Sequence, residues 1–138
     1  MKHNPLRTLN ALGQSIWLDY IRRDLVTSGE LTRLIEDDGL RGMTSNPAIF
    51  ERAISNSADY DDEIRTLRAG GSDVWTIYDT LTRHDVQMAA GAFRSVYEQC
   101  AGRDGYVSLK SIRASRTMRR AQSRKAGVCG APSTGRTS

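Results

Sequence analysis

Three short, largely apolar runs recur along the chain: SIWLDY at 15–20, LRGMT at 40–44 and GYVSL at 105–109. The stretches between them carry apolar residues at helical spacing. Strand, helix, strand, helices, strand is the order that makes strands parallel, because parallel neighbours need a long crossover and a helix is the usual one. That restricts the fold to an α/β architecture, either a (β/α) barrel or an open doubly wound sheet. A barrel takes about 250 residues and eight strands. With 138 residues and three recognisable strands, a complete barrel does not fit.

Local signals place the helices. Asn4 before Pro5 caps a helix that reaches Leu12, and Gly13 stops it. Thr27 followed by Glu30 fits a capping box for a helix with Leu31, Leu34 and Ile35 inward, closed at Asp38-Gly39. Pro47 opens a helix that buries Ile49, Phe50, Ala53 and Ile54. Asp59 to Leu67 reads as a polar helix ended by Gly70-Gly71, its Asp59-Tyr60-Asp61-Asp62 start being a solvated, dipole-favoured turn. Val74, Ile77, Tyr78 and Leu81 mark one further helix. Val86 to Tyr97 marks another, begun by His84 and ended near Gly102. Trp17, Trp75 and the tyrosines are expected to serve packing.

The net charge of +4 averages two unlike parts. Residues 110–138 hold eight basic side chains and no acidic one, which leaves 12 basic against 16 acidic, a net of −4, over residues 1–109. The tail has few sizeable apolar residues and no aromatic one, so it cannot bury enough surface to offset the entropy of ordering, and a disordered basic arm is expected. Cys100 and Cys129 are too few and too far apart for a disulfide framework or a metal site. No apolar run is long enough to span a bilayer, and the first residues lack a signal-peptide core, so the expected protein is soluble and cytoplasmic.

The densest motif is RGMTSNPAIF at 41–50. Thr44-Ser45-Asn46 stands between the end of a strand and a proline that starts a helix. It reads equally as a helix cap or as polar groups turned toward a ligand at a strand's carboxyl end. SIWLDYI, TSNPAIF and GRDGYVSL together resemble the first three recognisable strands of bacterial transaldolases, and the resemblance covers residues 4–109 almost without a gap. It implies the (β/α)8 TIM-barrel family, here its N-terminal part of about three strands with their helices. It also implies transfer of a dihydroxyacetone unit from a ketose phosphate to an aldose phosphate through a lysine Schiff base, in the pentose phosphate pathway and with no cofactor. Asp19 matches the family's proton-transferring aspartate. Asn46 matches the asparagine that holds the dihydroxyacetone unit, with Thr44 and Ser45 lining the same mouth.

The resemblance stops at residue 110. The family continues GYVSLE, and its Schiff-base lysine lies on a later strand. Here Lys110 follows Leu109, and the only other lysines are Lys2 and Lys125. A Schiff-base lysine needs a desolvated pocket that depresses its pKa, and Lys110 opens an arginine-rich stretch. Back-translating the tail with GC-rich codons and restoring one base after Leu109 yields EVHPRVSHNAEGTIEEGRRLW, a family-like continuation. Residues 110–138 are therefore expected to be an out-of-frame, non-family segment, and the chain alone is expected to be inactive. Sugar phosphates are the partners implied, with no membrane and no specific nucleic acid. The rival reading is a non-catalytic, basic-tailed nucleic-acid-binding or structural protein; nucleic-acid binding would need basic residues on a folded face with aromatic interleaving, and the acidic body offers none.

Overall fold

The computed structural model describes residues 4–110. The readings of residues 1–3 and of the tail from 111 onward lie outside the described residues. Three strands, β1 (Trp17–Leu18), β2 (Gly42–Thr44) and β3 (Tyr106–Ser108), form one sheet in the order β1-β2-β3. Both pairings are parallel, with Leu18 opposite Met43 and Thr44 opposite Ser108. The crossovers are helical, as the alternation requires. Helices α2 (Arg23–Thr27) and α3 (Glu30–Asp37) join β1 to β2; α4 (Pro47–Asn56), a 3-10 turn (Ala58–Tyr60), α5 (Asp61–Ala69), α6 (Val74–Ala92) and α7 (Arg94–Gln99) join β2 to β3. Helix α1 (Pro5–Ala11) precedes them all.

The central strand is the buried one. Met43 and Val107 are sealed against Ile21, Leu31, Phe50, Val86, Ala89, Phe93 and Val96. Full burial of side chains of this size contributes about 1.5–3 kcal/mol each. A second cluster joins Ala53, Tyr60, Ile77 and Leu81. The β1 run is less buried than its apolar sequence suggests. Trp17 is 41% exposed, its ring lying flat over Gly42, where a Cβ would come within 2.4 Å of the indole.

Two predicted starts hold in detail. Asn4 Oδ1 accepts from the Leu6 amide at 3.0 Å, and Asn46 Oδ1 accepts from the Ala48 amide at 3.0 Å, each followed by Pro at the first helical position. Three others are corrected. Thr27 is the last residue of α2, its hydroxyl donating back to the Arg23 carbonyl at 3.2 Å, and the cap of α3 is Gly29 at φ 83°. The chain needs a left-handed residue to turn from one helix into the next, which a threonine supplies poorly. The break expected before His84 does not exist, because α6 runs unbroken for 19 residues with His84 in its middle. Polar Thr82 and Asp85 sit on its buried side and mask the continuity of the stripe. The Asp59–Asp62 stretch is not wholly solvated, since Tyr60 is completely buried. Trp75, like Trp17, is 41% exposed.

Candidate functional site

The carboxyl ends of the three strands lie side by side, and the polar residues follow directly from that. Asp19 comes one residue after β1, Thr44 closes β2 and Ser108 closes β3. Because β1 and β2 are parallel and in register, Asp19 lands beside Thr44, whose hydroxyl donates to Asp19 Oδ1 at 2.6 Å. The Asp19 carboxylate is open to solvent. Among the described residues only its Oδ1 is engaged, by Thr44.

Ser45 sits behind this wall. It is buried, its amide donates to the Ser108 carbonyl at 2.8 Å, and its Oγ accepts from the Lys110 amide at 3.2 Å. The residue therefore continues the β2–β3 ladder past the last strand pair. Asn46 caps α4 through its Oδ1. Of the two readings of Thr44-Ser45-Asn46, the structure shows the cap, at Asn46. Lys110 is exposed at the end of the β3 segment.

Four residues beyond Asp19 the chain enters a buried ionic cluster that sequence reasoning missed. Arg23 Nε donates to Asp85 Oδ1 at 2.8 Å, and Arg23 Nη1 lies 2.7 Å from Glu63 Oε2. Tyr60 Oη donates to Asp85 Oδ2 at 2.6 Å and accepts from the Arg23 amide at 3.1 Å, while the guanidinium stacks 4.4 Å from the Tyr60 ring centroid. Asp85 is fully buried. Burial pushes its carboxyl pKa up, with Tyr60 and then Arg23 opposing the shift. Burial, and then the Asp85 carboxylate, push the Tyr60 phenol up in turn. The cluster ties the start of α2 to the 3-10 turn, α5 and α6, and so fixes the backbone a few residues after Asp19. One signal pointed to it: Asp85 falls in the four-residue row Ile77, Leu81, Asp85, Ala89, where a lone carboxylate must find a partner.

At the opposite, amino-terminal end of the strands lies an open cleft of about 490 Å³, lined by Arg7, Asn10, Glu36, Arg41 and Gln99 among others. It is on the far side of the sheet from Asp19. Among the described residues no group of three or more His, Cys, Asp or Glu is arranged to hold a metal ion, and no helix is long and apolar enough to cross a membrane.

Comparison with known proteins gives a consistent result. The family model for transaldolase/fructose-6-phosphate aldolase matches residues 16–123. A transaldolase of Saccharopolyspora erythraea is 48% identical over 108 residues, 78% of this chain and 29% of the relative. Transaldolase 2 of Nostoc punctiforme is 43% identical over 110 residues, 80% of this chain and 29% of the relative. A transaldolase of Thiobacillus denitrificans is 41% identical over 107 residues, 78% of this chain and 30% of the relative. The chain thus spans about three tenths of the length of the curated relatives it matches.

Proposed function

The chain belongs to the transaldolase/fructose-6-phosphate aldolase family, and from that premise we propose that it is the amino-terminal portion of a transaldolase. Its three parallel strands would be the first part of a (β/α)8 barrel. The activity of the whole barrel would be transfer of a dihydroxyacetone unit between sugar phosphates in the cytoplasmic pentose phosphate pathway. The observation that carries the reading is the Thr44–Asp19 hydrogen bond at the carboxyl ends of adjacent parallel strands, the end where barrel enzymes build their sites.

In this reading Asp19 takes the proton from the hydroxyl on the carbon that becomes the departing aldehyde, as the bond from that carbon to the dihydroxyacetone unit breaks, and returns it in the reverse direction. Thr44 holds the carboxylate in place. Asn46 offers its carboxamide nitrogen to the dihydroxyacetone hydroxyls, and Ser45 locks β2 to β3 behind them. The imine that makes carbon–carbon cleavage accessible forms on a lysine of a later strand, so residues 1–110 do not complete the cycle by themselves. The chemistry runs on protein side chains and calls for no metal or organic cofactor.

The test joins residues 1–109 to the part of the Saccharopolyspora erythraea transaldolase that follows its matched segment. This chimera should interconvert fructose 6-phosphate and an aldose phosphate acceptor, and Asp19→Asn should lower kcat by about 10²–10⁴-fold, the range for loss of a general acid–base group. A folded chimera without activity, or one indifferent to Asp19→Asn, overturns the reading.

A further inference from the structure

Three guanidiniums gather at the end of the sheet opposite Asp19. The cleft of about 490 Å³ there has Arg7 and Arg41 in its wall, and a neighbouring cleft of about 380 Å³ has Arg41 and Arg103. In an acidic body this concentration of positive charge is unexpected. Among the described residues, Arg7, Arg41, Arg52, Arg68 and Arg103 are the arginines with no carboxylate at ion-pair distance, and three of these five line the two clefts. Glu36 and Asp104 also stand in the walls, yet neither pairs with a guanidinium among the described residues. Asp104 Oδ1 accepts from the Ser15 hydroxyl at 2.6 Å instead.

Each of the three is anchored without a carboxylate. Arg7 donates to the Asp37 carbonyl at 2.8 Å and to the Glu36 carbonyl. Arg103 Nε donates to the Cys100 carbonyl at 3.2 Å, and Arg41 Nη1 donates to Cys100 Sγ at 2.9 Å. The backbone of Arg41 is pinned between the entrances of the outer strands. Its amide donates to the Ile16 carbonyl at 2.9 Å, and its carbonyl accepts from the Gly105 amide at 2.8 Å. The half-buried Arg41 thus lines both clefts from a fixed position. Its Nε and Nη2 have no acceptor among the described residues, and that edge is the fork that takes two oxygens of one anion. A cation drawn out of water is costly unless a counter-charge answers it. We propose that Arg41, with Arg103 and Arg7 in the walls beside it, forms a binding site for a phosphoryl group. A carboxylate fills one fork, whereas a tetrahedral phosphoryl group carrying close to two charges offers oxygens to Arg41 and a second guanidinium together. Clefts of this size take small molecules, which fits inorganic phosphate or a small phosphate monoester. The site lies at the far end of the strands from Asp19 and does not depend on the activity proposed above.

The test follows the thermal unfolding midpoint of the 138-residue chain in rising inorganic phosphate or glycerol 3-phosphate, with ionic strength held constant by chloride. A ligand that binds the folded chain raises the midpoint in step with the occupancy of its site. A rise that depends on Arg41 and is larger with inorganic phosphate assigns the site to the free anion; one that is larger with glycerol 3-phosphate assigns it to monoesters. Arg41→Lys keeps the charge but loses the fork, and should weaken the apparent affinity about tenfold. Arg65→Lys, at a guanidinium 78% exposed on α5, should leave it unchanged. Arg103→Lys, at an exposed side chain, should weaken it about threefold and serves as the comparison if Arg41→Lys does not fold. A midpoint indifferent to both probes overturns the proposal. So does a rise that survives Arg41→Lys and Arg103→Lys undiminished, or one that Arg65→Lys weakens as much as they do.

Discussion

Tyr60 and Asp85, 25 residues apart, share a 2.6 Å hydrogen bond inside the domain, and Arg23 closes the pair into a cluster that spans the start of α2, the 3-10 turn, α5 and α6. Removing one charge from such a cluster leaves the other buried without compensation, which typically costs 3–5 kcal/mol. Asp85→Asn keeps an acceptor for Tyr60 but leaves Arg23, whose side chain is only 11% exposed, with Glu63 as its one carboxylate partner in the cluster. A loss of about 3 kcal/mol in urea-induced unfolding is expected. Glu63→Gln, at a more exposed carboxylate, should cost clearly less; equal or reversed effects would show that Asp85 is not the anchor.

Alkaline stability follows from two phenols. Tyr60 is pushed up by burial and by Asp85, and Tyr78 is pushed up to about 12, by burial and then by Glu51. A phenol whose folded pKa lies above its unfolded value of about 10 keeps its proton longer in the native state. The stabilisation is complete below about pH 10 and is lost as pH rises through about 12. The unfolding midpoint measured across this window, with phenolate absorbance followed in parallel, should drop together with ionisation. Tyr78→Phe should flatten part of the drop, and a midpoint independent of pH there would contradict the assignment.

Trp17 and Gly42 face each other across β1 and β2, and the indole occupies the space a side chain at 42 would need. Gly42→Ala must push the ring off the sheet. Overpacking of this kind costs about 1–3 kcal/mol, and Trp17 fluorescence should shift to the red as the ring moves into water. An unshifted spectrum with unchanged stability would mean that the ring is not seated there.

Asn46 carries a structural and a proposed binding duty in one carboxamide. Asn46→Ala removes the α4 cap and should cost about 1 kcal/mol, whereas Asn46→Asp, another good cap, should retain stability. In the chimera both should weaken sugar-phosphate turnover, because neither supplies the carboxamide nitrogen. Full turnover with Asn46→Asp would restrict the residue to capping.

Much of this was legible in the residues because local rules act locally. The two Asn-Pro helix starts, the parallel order and the adjacency of Asp19 with Thr44 all follow from caps, spacing and register. Family resemblance then supplied roles that no pattern states. The Thr27 cap failed because two helices meet at Gly29, a tertiary requirement that a box of four residues does not reveal. Helix α6 was cut in two because its buried side carries Thr82 and Asp85, tolerable only once Arg23 and Tyr60 arrive from distant parts of the chain.

The central claim is that the chain holds part of a sugar-phosphate site, with the proton-transfer aspartate but without the imine-forming lysine. Borohydride trapping reads this directly. The purified 138-residue chain is incubated with fructose 6-phosphate, reduced, and weighed as the intact protein beside the chimera treated in the same way. The chimera should gain one reduced sugar-derived adduct, on a lysine beyond the junction, and the 138-residue chain should keep its mass. An adduct on Lys110 of the 138-residue chain would contradict the claim.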